Sequence, residues 1–253
     1  MKMHLLSGGR LRLRKSIYFP DADRSETMDV PVSCALLRHR HGNVLFDTGC
    51  HPSVPDDPKA RWGDLAKIMA PIMPKGDNVV TGLAGIGLQC DDIDIVVCSH
   101  LHPDHCGCNT LFKRASFIIH TKEIEAARGP DAKNAGYLAG EWEQSALTEE
   151  LDSERDLFGD GRIVLIPLPG HTPGTTGALV ALGRSGKFLL ASDSVAVRAT
   201  LDHDITPRNT WNAEALAKSL TEIRHLQQQG VTVLCGHDDA QWQSLDKGAN
   251  AYD

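Results

Sequence analysis

No run of apolar residues in this 253-residue chain is long enough to cross a bilayer as a helix. The first residues lack an apolar core and a small-residue cleavage site, so no signal peptide is expected. Excess positive charge is also missing. The formal net charge of -7 argues against a nucleic-acid-binding surface and says little about a small-molecule partner. The one basic cluster, Arg10 to Lys15, alternates its arginines with Leu11 and Leu13, which reads as a strand with one solvated face. The seven cysteines are an odd number, and a chain of this size builds a core without disulfides. A reduced, cytosolic setting follows. Cys106-Gly107-Cys108 is one residue short of a Cys-x-x-Cys pair, so both are read as loop or core thiols. No repeat, low-complexity tract or linker divides residues 1–253, and one domain is expected.

Short apolar runs rich in β-branched residues occur at 43–46, 93–98, 117–119, 163–168, 178–182, 188–191 and 231–235. These read as buried strands. A helix is expected to start at Asn212, carry Leu216, Leu220, Ile223 and Leu226 on one stripe, and stop at Gly230. Weaker helical patterns cover 78–88 and 121–128. The mix predicts an α/β (α+β) fold with many strands. Five of the apolar runs finish in or just before an Asp or His: Asp47, His100, His171, Asp193 and His237. Aligned strands would deliver those side chains to one edge of the core, where a rigid scaffold holds loops for function.

His100-Leu101-His102-Pro103-Asp104-His105 packs four ligand-type side chains into six residues. Imidazole and carboxylate suit zinc, and also manganese, iron or cobalt. His100 and His102 can share one cation while Asp104 and His105 turn toward a second. Neither pair completes a coordination shell, so His171, Asp193 and His237 are the candidates for the rest. A carboxylate such as Asp193 can bridge two cations, the arrangement of hydrolytic two-metal sites. Burying three histidines and an aspartate in one turn would be costly without a cation. The isolated His4, His39, His41, His51, His120 and His225 read as ordinary surface or satisfied core residues.

The stretch from Ser99 to Gly107 resembles the signature of the metallo-β-lactamase superfamily. Asp47-Thr48-Gly49, Gly170-His171-Thr172-Pro173-Gly174, Ser192-Asp193 and Gly236-His237-Asp238 are similar to its remaining motifs, in the expected order. The resemblance implies a four-layer αβ/βα sandwich with two divalent metal ions at one edge. Within the superfamily the likeness is to N-acyl-homoserine lactonases and 4-pyridoxolactonases. It rests on Pro31-Val32-Ser33-Cys34, on the approach from Gly87 to Asp94, and on the short Gly-His-Asp ending. It implies His100, His102 and His171 on one metal, Asp104, His105 and His237 on the other, Asp193 bridging, and Asp47 orienting a ligand histidine. It further implies a bridging hydroxide that attacks a lactone carbonyl, with Asp104 as the catalytic carboxyl that moves the proton to the leaving alkoxide. The expected partner is a small lactone or ester, with no nucleic acid and no membrane, and the chain a monomer or homodimer.

Three neighbouring groups are set apart by single features. Many β-lactamases carry Cys or Ser in place of Asp193, and flavodiiron proteins a Glu in place of His102. Glyoxalase II adds a helical C-terminal domain, whereas sixteen residues follow His237 here. One position departs from the lactonases, which carry a Tyr three residues after the bridging Asp. Here it is Ala196, and Tyr18, Tyr137 and Tyr252 are all distant in sequence. His203 is a nearby candidate substitute, against its reading as a surface histidine. Trp62, Leu65, Ile68, Met69, Ile72 and Met73 form an apolar stretch between prolines that reads either as a substrate-contacting lid or as packing on the core or a dimer partner. Hydrolysis of another lactone, ester, thioester or phosphoester, and a non-hydrolytic metal-binding or redox role, are the competing readings.

Overall fold

A computed structural model describes residues 1–143 and 147–253. Strands β1 (Lys2–Arg14), β2 (Thr27–His39), β3 (Gly42–Phe46), β4 (Met69–Pro71), β5 (Ile95–Val97), β6 (Ser116–His120) and β7 (Thr148–Leu151) form one sheet, in the order β4-β1-β2-β3-β5-β6-β7. Strands β8 (Arg155–Asp156), β9 (Ile163–Pro167), β10 (Thr176–Leu182), β11 (Gly186–Leu190) and β12 (Thr232–Leu234) form a second, in the order β12-β11-β10-β9-β8. The helices are α1 (Pro58–Trp62), α2 (Val79–Gly85), α3 (Pro103–Cys106), α4 (Thr121–Arg128), α5 (Ala139–Trp142), α6 (Arg198–Asp202), α7 (Ala213–Gln228) and α8 (Asp239–Ser244).

The period-2 alternation of each strand sorts its residues into layers. Leu37, Val44, Phe46, Val97 and Ile118 face Leu165, Ala178, Val180, Phe188 and Leu190 of the second sheet. Their neighbours Leu36, Leu45, Val96, Phe117 and Ile119 point the other way and pack against Val79 and Leu83 of α2 and Ile124 and Ala127 of α4. On the far side, Leu189 and Val233 meet the α7 stripe of Leu216, Leu220, Ile223 and Leu226. The result is the helix–sheet–sheet–helix sandwich that the family resemblance implies. Strands β3, β5, β6 and β7 run parallel; β3, β5 and β6 are covered on both faces and read as continuous apolar runs, whereas the edge strand β7, Thr-Glu-Glu-Leu, is largely exposed.

The expected helices form, α7 from the cap expected at Asn212. Asn212 Oδ1 accepts from Ala215 N at 2.9 Å to start α7, and Asn78 Oδ1 accepts from Thr81 N at 3.0 Å to start α2. The β1–β2 hairpin exceeds the expectation. The basic cluster is the end of a thirteen-residue strand, in which Leu11 and Leu13 are buried while Arg12 and Arg14 are exposed. Pro31 sits inside β2, where the strand runs past the end of β3, whose pairing starts at Ala35. Of the two readings of the 62–73 stretch, packing prevails for Trp62 and Met73, which are buried with Leu11, Leu13 and Val30. Ile68 is the member of that stretch that stays exposed.

Candidate metal centre and active site

The centre is assembled where β3, β5, β11 and β12 end. Asp47 follows β3 with a positive φ of 61°, a region a non-glycine residue occupies only when its surroundings hold it there. Three short bonds do so. Asp47 Oδ1 accepts from Ser99 N at 2.7 Å, and Oδ2 accepts from Ser99 Oγ at 2.8 Å and faces His105 Nδ1 at 2.8 Å. Ser192, after β11, is likewise at φ 47°, and its hydroxyl meets that of Ser99 at 2.8 Å. Two strained turns from the two sheets therefore meet at Ser99, the residue before His100. Pro103 at the first position of α3 starts the turn that carries Asp104 and His105.

The seven candidate ligands from the sequence converge. His100, His102 and His171 form one group whose ligand atoms lie within 4.8 Å of one another; Asp104, His105 and His237 form another, and His100, His105 and Asp193 a third between them. His171 Nε2 stands 3.0 Å from His102 Nδ1, and His105 Nε2 stands 3.2 Å from His237 Nε2. Asp193 spans the groups. Its Oδ1 lies 3.3 Å from His105 and 3.1 Å from His237, and its Oδ2 lies 3.4 Å from His171. Asp104 Oδ2 is 3.6 Å from both His105 and His237. The other nitrogens of three imidazoles are anchored: His102 Nε2 to Ala135 O at 2.9 Å, His105 Nδ1 to Asp47, and His237 Nδ1 to Pro31 O at 2.8 Å. Such outer bonds fix the ring and leave the opposite nitrogen for a cation.

The electrostatics fit that use. Burial first, then the neighbouring histidines, push the His100 imidazolium well below its usual range. Burial likewise brings His171 down to about 3, so both rings stand neutral, the form that binds metal. Burial disfavours the cation of His105 too, but Asp104, Asp193 and Asp47 outweigh it and raise that imidazole. Burial works against the Asp193 anion, and His237, His171 and His105 override it. His100 Nε2 and Asp193 Oδ1 are buried with no hydrogen-bond partner. Two ligand-type atoms without partners, beside imidazole nitrogens aimed at each other, fit divalent cations between them.

Other supports were not visible in the sequence. Glu123 of α4 is fully buried; its Oε1 accepts from Leu101 N and its Oε2 from Gly174 N, both at 3.0 Å. It ties the His100–His105 loop to the His171 loop. Nothing in an ordinary amphipathic helix pattern signals that role. Tyr137 lies 5.3 Å from His102, ring to ring. Tyr18 lies 6.0 Å from His237 at an interplanar angle of 23°, and is buried with Ala196 and Val197. Gly236 is required by close approach, since a Cβ there would come within 2.7 Å of Asp193 Oδ1. His203 ends α6 on the exposed surface, as an ordinary histidine does. His120 is also apart from the centre, and its Nδ1 accepts from Lys122 N at 3.1 Å to cap α4.

Comparison with known proteins gives consistent relatives. The chain is 29% identical over 270 residues to the N-acyl homoserine lactonase AttM of Azorhizobium caulinodans, covering 100% of this chain and 99% of that protein. It is 31% identical over 249 residues to the N-acyl homoserine lactonase AiiB of Agrobacterium fabrum, covering 90% of this chain and 87% of the relative. Among solved structures, an N-acyl homoserine lactone hydrolase with N-hexanoyl-L-homoserine at its catalytic metal centre shares the fold. Its TM-score is 0.89 at 23% identity, over 99% of this chain and 98% of that one. The family model of the metallo-beta-lactamase superfamily matches residues 27–237, and the chain belongs to that superfamily.

Proposed function

We propose that the protein is a metal-dependent hydrolase that opens the ring of an N-acyl-homoserine lactone. The observation that carries the reading is the position of Asp193, whose two oxygens reach two separate groups of histidines. In this reading His100, His102 and His171 hold one divalent cation, Asp104, His105 and His237 hold a second, and Asp193 serves both. Zinc is the assignment we favour for this donor set, which manganese, iron and cobalt also suit. When bound, the cations supply a hydroxide near neutral pH and polarise the ester carbonyl.

The chain's own residues do the rest. Asp104 sits at the edge of the second group and carries the proton to the alkoxide as the ring C–O bond breaks. Water is kept from the near-fully buried His100, His105 and His237, which strengthens every charge interaction among them. No cysteine nucleophile is needed. Burial raises the Cys106 and Cys34 thiols well above their usual range, so both stay protonated and unreactive. All seven cysteines are unpaired, which supports a reducing, cytoplasmic location. The names of the curated relatives, AttM and AiiB, support the substrate class.

The test is ring opening of N-acyl-homoserine lactones by zinc-loaded and metal-stripped protein, followed by proton release. Turnover is expected only in the loaded protein, with Asp193→Ala and His237→Ala both inactive. Undiminished turnover in either variant overturns the assignment. A preference for thioesters or phosphotriesters in the same assay overturns the substrate class alone.

A further inference from the structure

Three segments of the chain meet at a groove that carries charge of one sign. Arg14 ends β1 and Arg24 lies between β1 and β2, Lys67 and Ile68 precede β4, and Arg208 lies between α6 and α7. With Ile17 they line a concavity of about 380 Å³, and no carboxylate among the described residues lines it. Small-molecule sites span about 300–1,000 Å³. The chain as a whole has a net charge of -7, and most of its arginines are paired with acids, as Arg10 is with Asp239 and Arg12 with Asp29. Among the described residues, Arg14, Arg24 and Arg208 have no carboxylate partner. Lys67 pairs with Asp64 at 2.7 Å on the exposed surface.

Hydrogen bonds between the segments hold the groove in shape. Ile17 O accepts from Arg208 N at 2.7 Å, and Pro20 O accepts from the Arg208 side chain at 2.7 Å. Met69 pairs with Leu13 across β4 and β1, which sets Ile68 beside the end of β1. Ile68 is 53% exposed, and Ile17 is half-buried against the cluster of Leu11, Leu13, Tyr18 and Trp62. The acids that flank Arg24 in sequence are engaged elsewhere. Asp23 Oδ1 accepts from Ser25 N at 2.7 Å and from Ser25 Oγ at 2.6 Å, and Glu26 pairs with Lys15 at 2.8 Å.

Gathered like charges repel one another, and an anion between them relieves that repulsion. A cleft walled by one sign of charge also focuses its potential and concentrates the counter-ion. Guanidinium groups present planar pairs of N–H donors that match a carboxylate. Ile17 and Ile68 add apolar surface for a ligand body to cover. A neutral lactone offers these cations no partner, so the proposed reaction does not account for them. The concave shape suits a small molecule better than a flat lipid surface. We propose that the groove binds a small amphiphilic carboxylate, with its carboxylate held by Arg14, Arg24 and Arg208 and its apolar body laid on Ile17 and Ile68.

The test uses octanoate, titrated into the zinc-loaded protein while the δ-methyl NMR signals of Ile17 and Ile68 are recorded. Both signals are expected to shift and saturate. Arg14→Glu and Arg24→Glu change exposed side chains, so melting temperature and bound zinc should match the parent while octanoate affinity falls about 10-fold or more. Ile68→Ser should weaken octanoate about 3-fold or more. Octan-1-ol and inorganic phosphate should each bind at least about 10-fold more weakly than octanoate, because each offers half of what the groove recognises. Equal affinity for phosphate means an adventitious ion only, and equal affinity for octan-1-ol an apolar patch only; either overturns the proposal. Octanoate affinity unchanged in both arginine variants places the carboxylate elsewhere, the metal centre included, and overturns it too. So does Arg24-dependent binding to phosphatidylglycerol vesicles without binding of free octanoate, which makes the groove a lipid contact instead.

Discussion

Replacing Asp47 tests whether the centre is built before a cation arrives. The side chain is 1% exposed and receives three bonds of 2.7–2.8 Å, from Ser99 N, Ser99 Oγ and His105 Nδ1. Asp47→Ala leaves the Ser99 amide and the His105 ring N–H as buried donors without partners, each costing about 1–3 kcal/mol. The Ser99 hydroxyl can turn to Ser192, so it adds little. Alanine also tolerates φ 61° less well than aspartate, at about 1 kcal/mol. Removing a buried charge gives part of this back, which leaves a net loss of about 3–5 kcal/mol. Because His105 loses the bond that fixes its ring, metal affinity should also fall about 10- to 100-fold. Asp47→Asn keeps an acceptor for Ser99 N and accepts the left-handed backbone, but presents an amide N–H toward either Ser99 Oγ or His105. It should therefore recover most of the stability and little of the affinity. The assays are urea unfolding of metal-stripped protein and zinc titration against a competing chelator. A stripped Asp47→Ala protein as stable as the parent would refute the claim that these bonds hold the turn without metal. Parental zinc affinity in both variants would refute the orienting role.

Two further outcomes follow from close contacts and caps. Gly236→Ala places a methyl group within 2.7 Å of Asp193 Oδ1 and should displace the carboxylate proposed to bridge, lowering bound metal below the parent's content by elemental analysis; full occupancy would mean the turn yields instead. His120 carries a pH dependence of known sign. Burial first, then Lys122, depress its folded pKa below the unfolded value of about 6.5. Its contribution to stability is therefore present in full above pH about 6.5 and declines as pH falls toward the folded value. His120→Asn keeps a capping acceptor that does not titrate. Between pH 7.5 and 5.5 it should lose less unfolding free energy than the parent, and equal losses would discount the cap.

The strands were readable because their cause is local, whereas the layering was implied by the family resemblance. Val44, Val96 and Phe117, like Leu179 and Leu189 of the second sheet, lie in runs that are apolar on both faces because each sheet is covered on two sides. Asn78 and Asn212 gave the helix starts through their own side chains. The convergence of the candidate ligands was readable because strand ends fall at His100, Asp193 and His237, beside Asp47, so the sequence position of each already encodes its place at one edge. What was hidden depends on contacts distant in sequence. The length of β1 and β2 was masked by exposed Arg12 and Arg14 and by Pro31, because a hairpin with one solvated end has weak apolar contrast. Glu123 and Tyr18 look like helix surface and turn residues until the sheets close and bury them.

The same distinction explains how the centre is held. The imidazoles of His102 and His237 are aimed by the backbone oxygens of Ala135 and Pro31, and that of His105 by Asp47. Backbone carbonyls are fixed by the fold and cannot follow a ligand that moves. Their partners therefore come from segments far away: Pro31 lies in the first sheet, and His237 follows the last strand of the second. Each such bond makes the position of one ligand depend on how the two sheets pack. The apolar interior between them, with Phe46, Val97, Leu190 and Leu234, is then part of the machinery, because it sets the spacing of the groups that Asp193 spans. A cavity in that interior, as in Leu190→Ala, should weaken metal binding although Leu190 is not itself a candidate ligand, while a comparable cavity under α7 should lower stability and leave affinity unchanged. Equal zinc affinity in both cavity variants would show that the centre is positioned by its own loops alone.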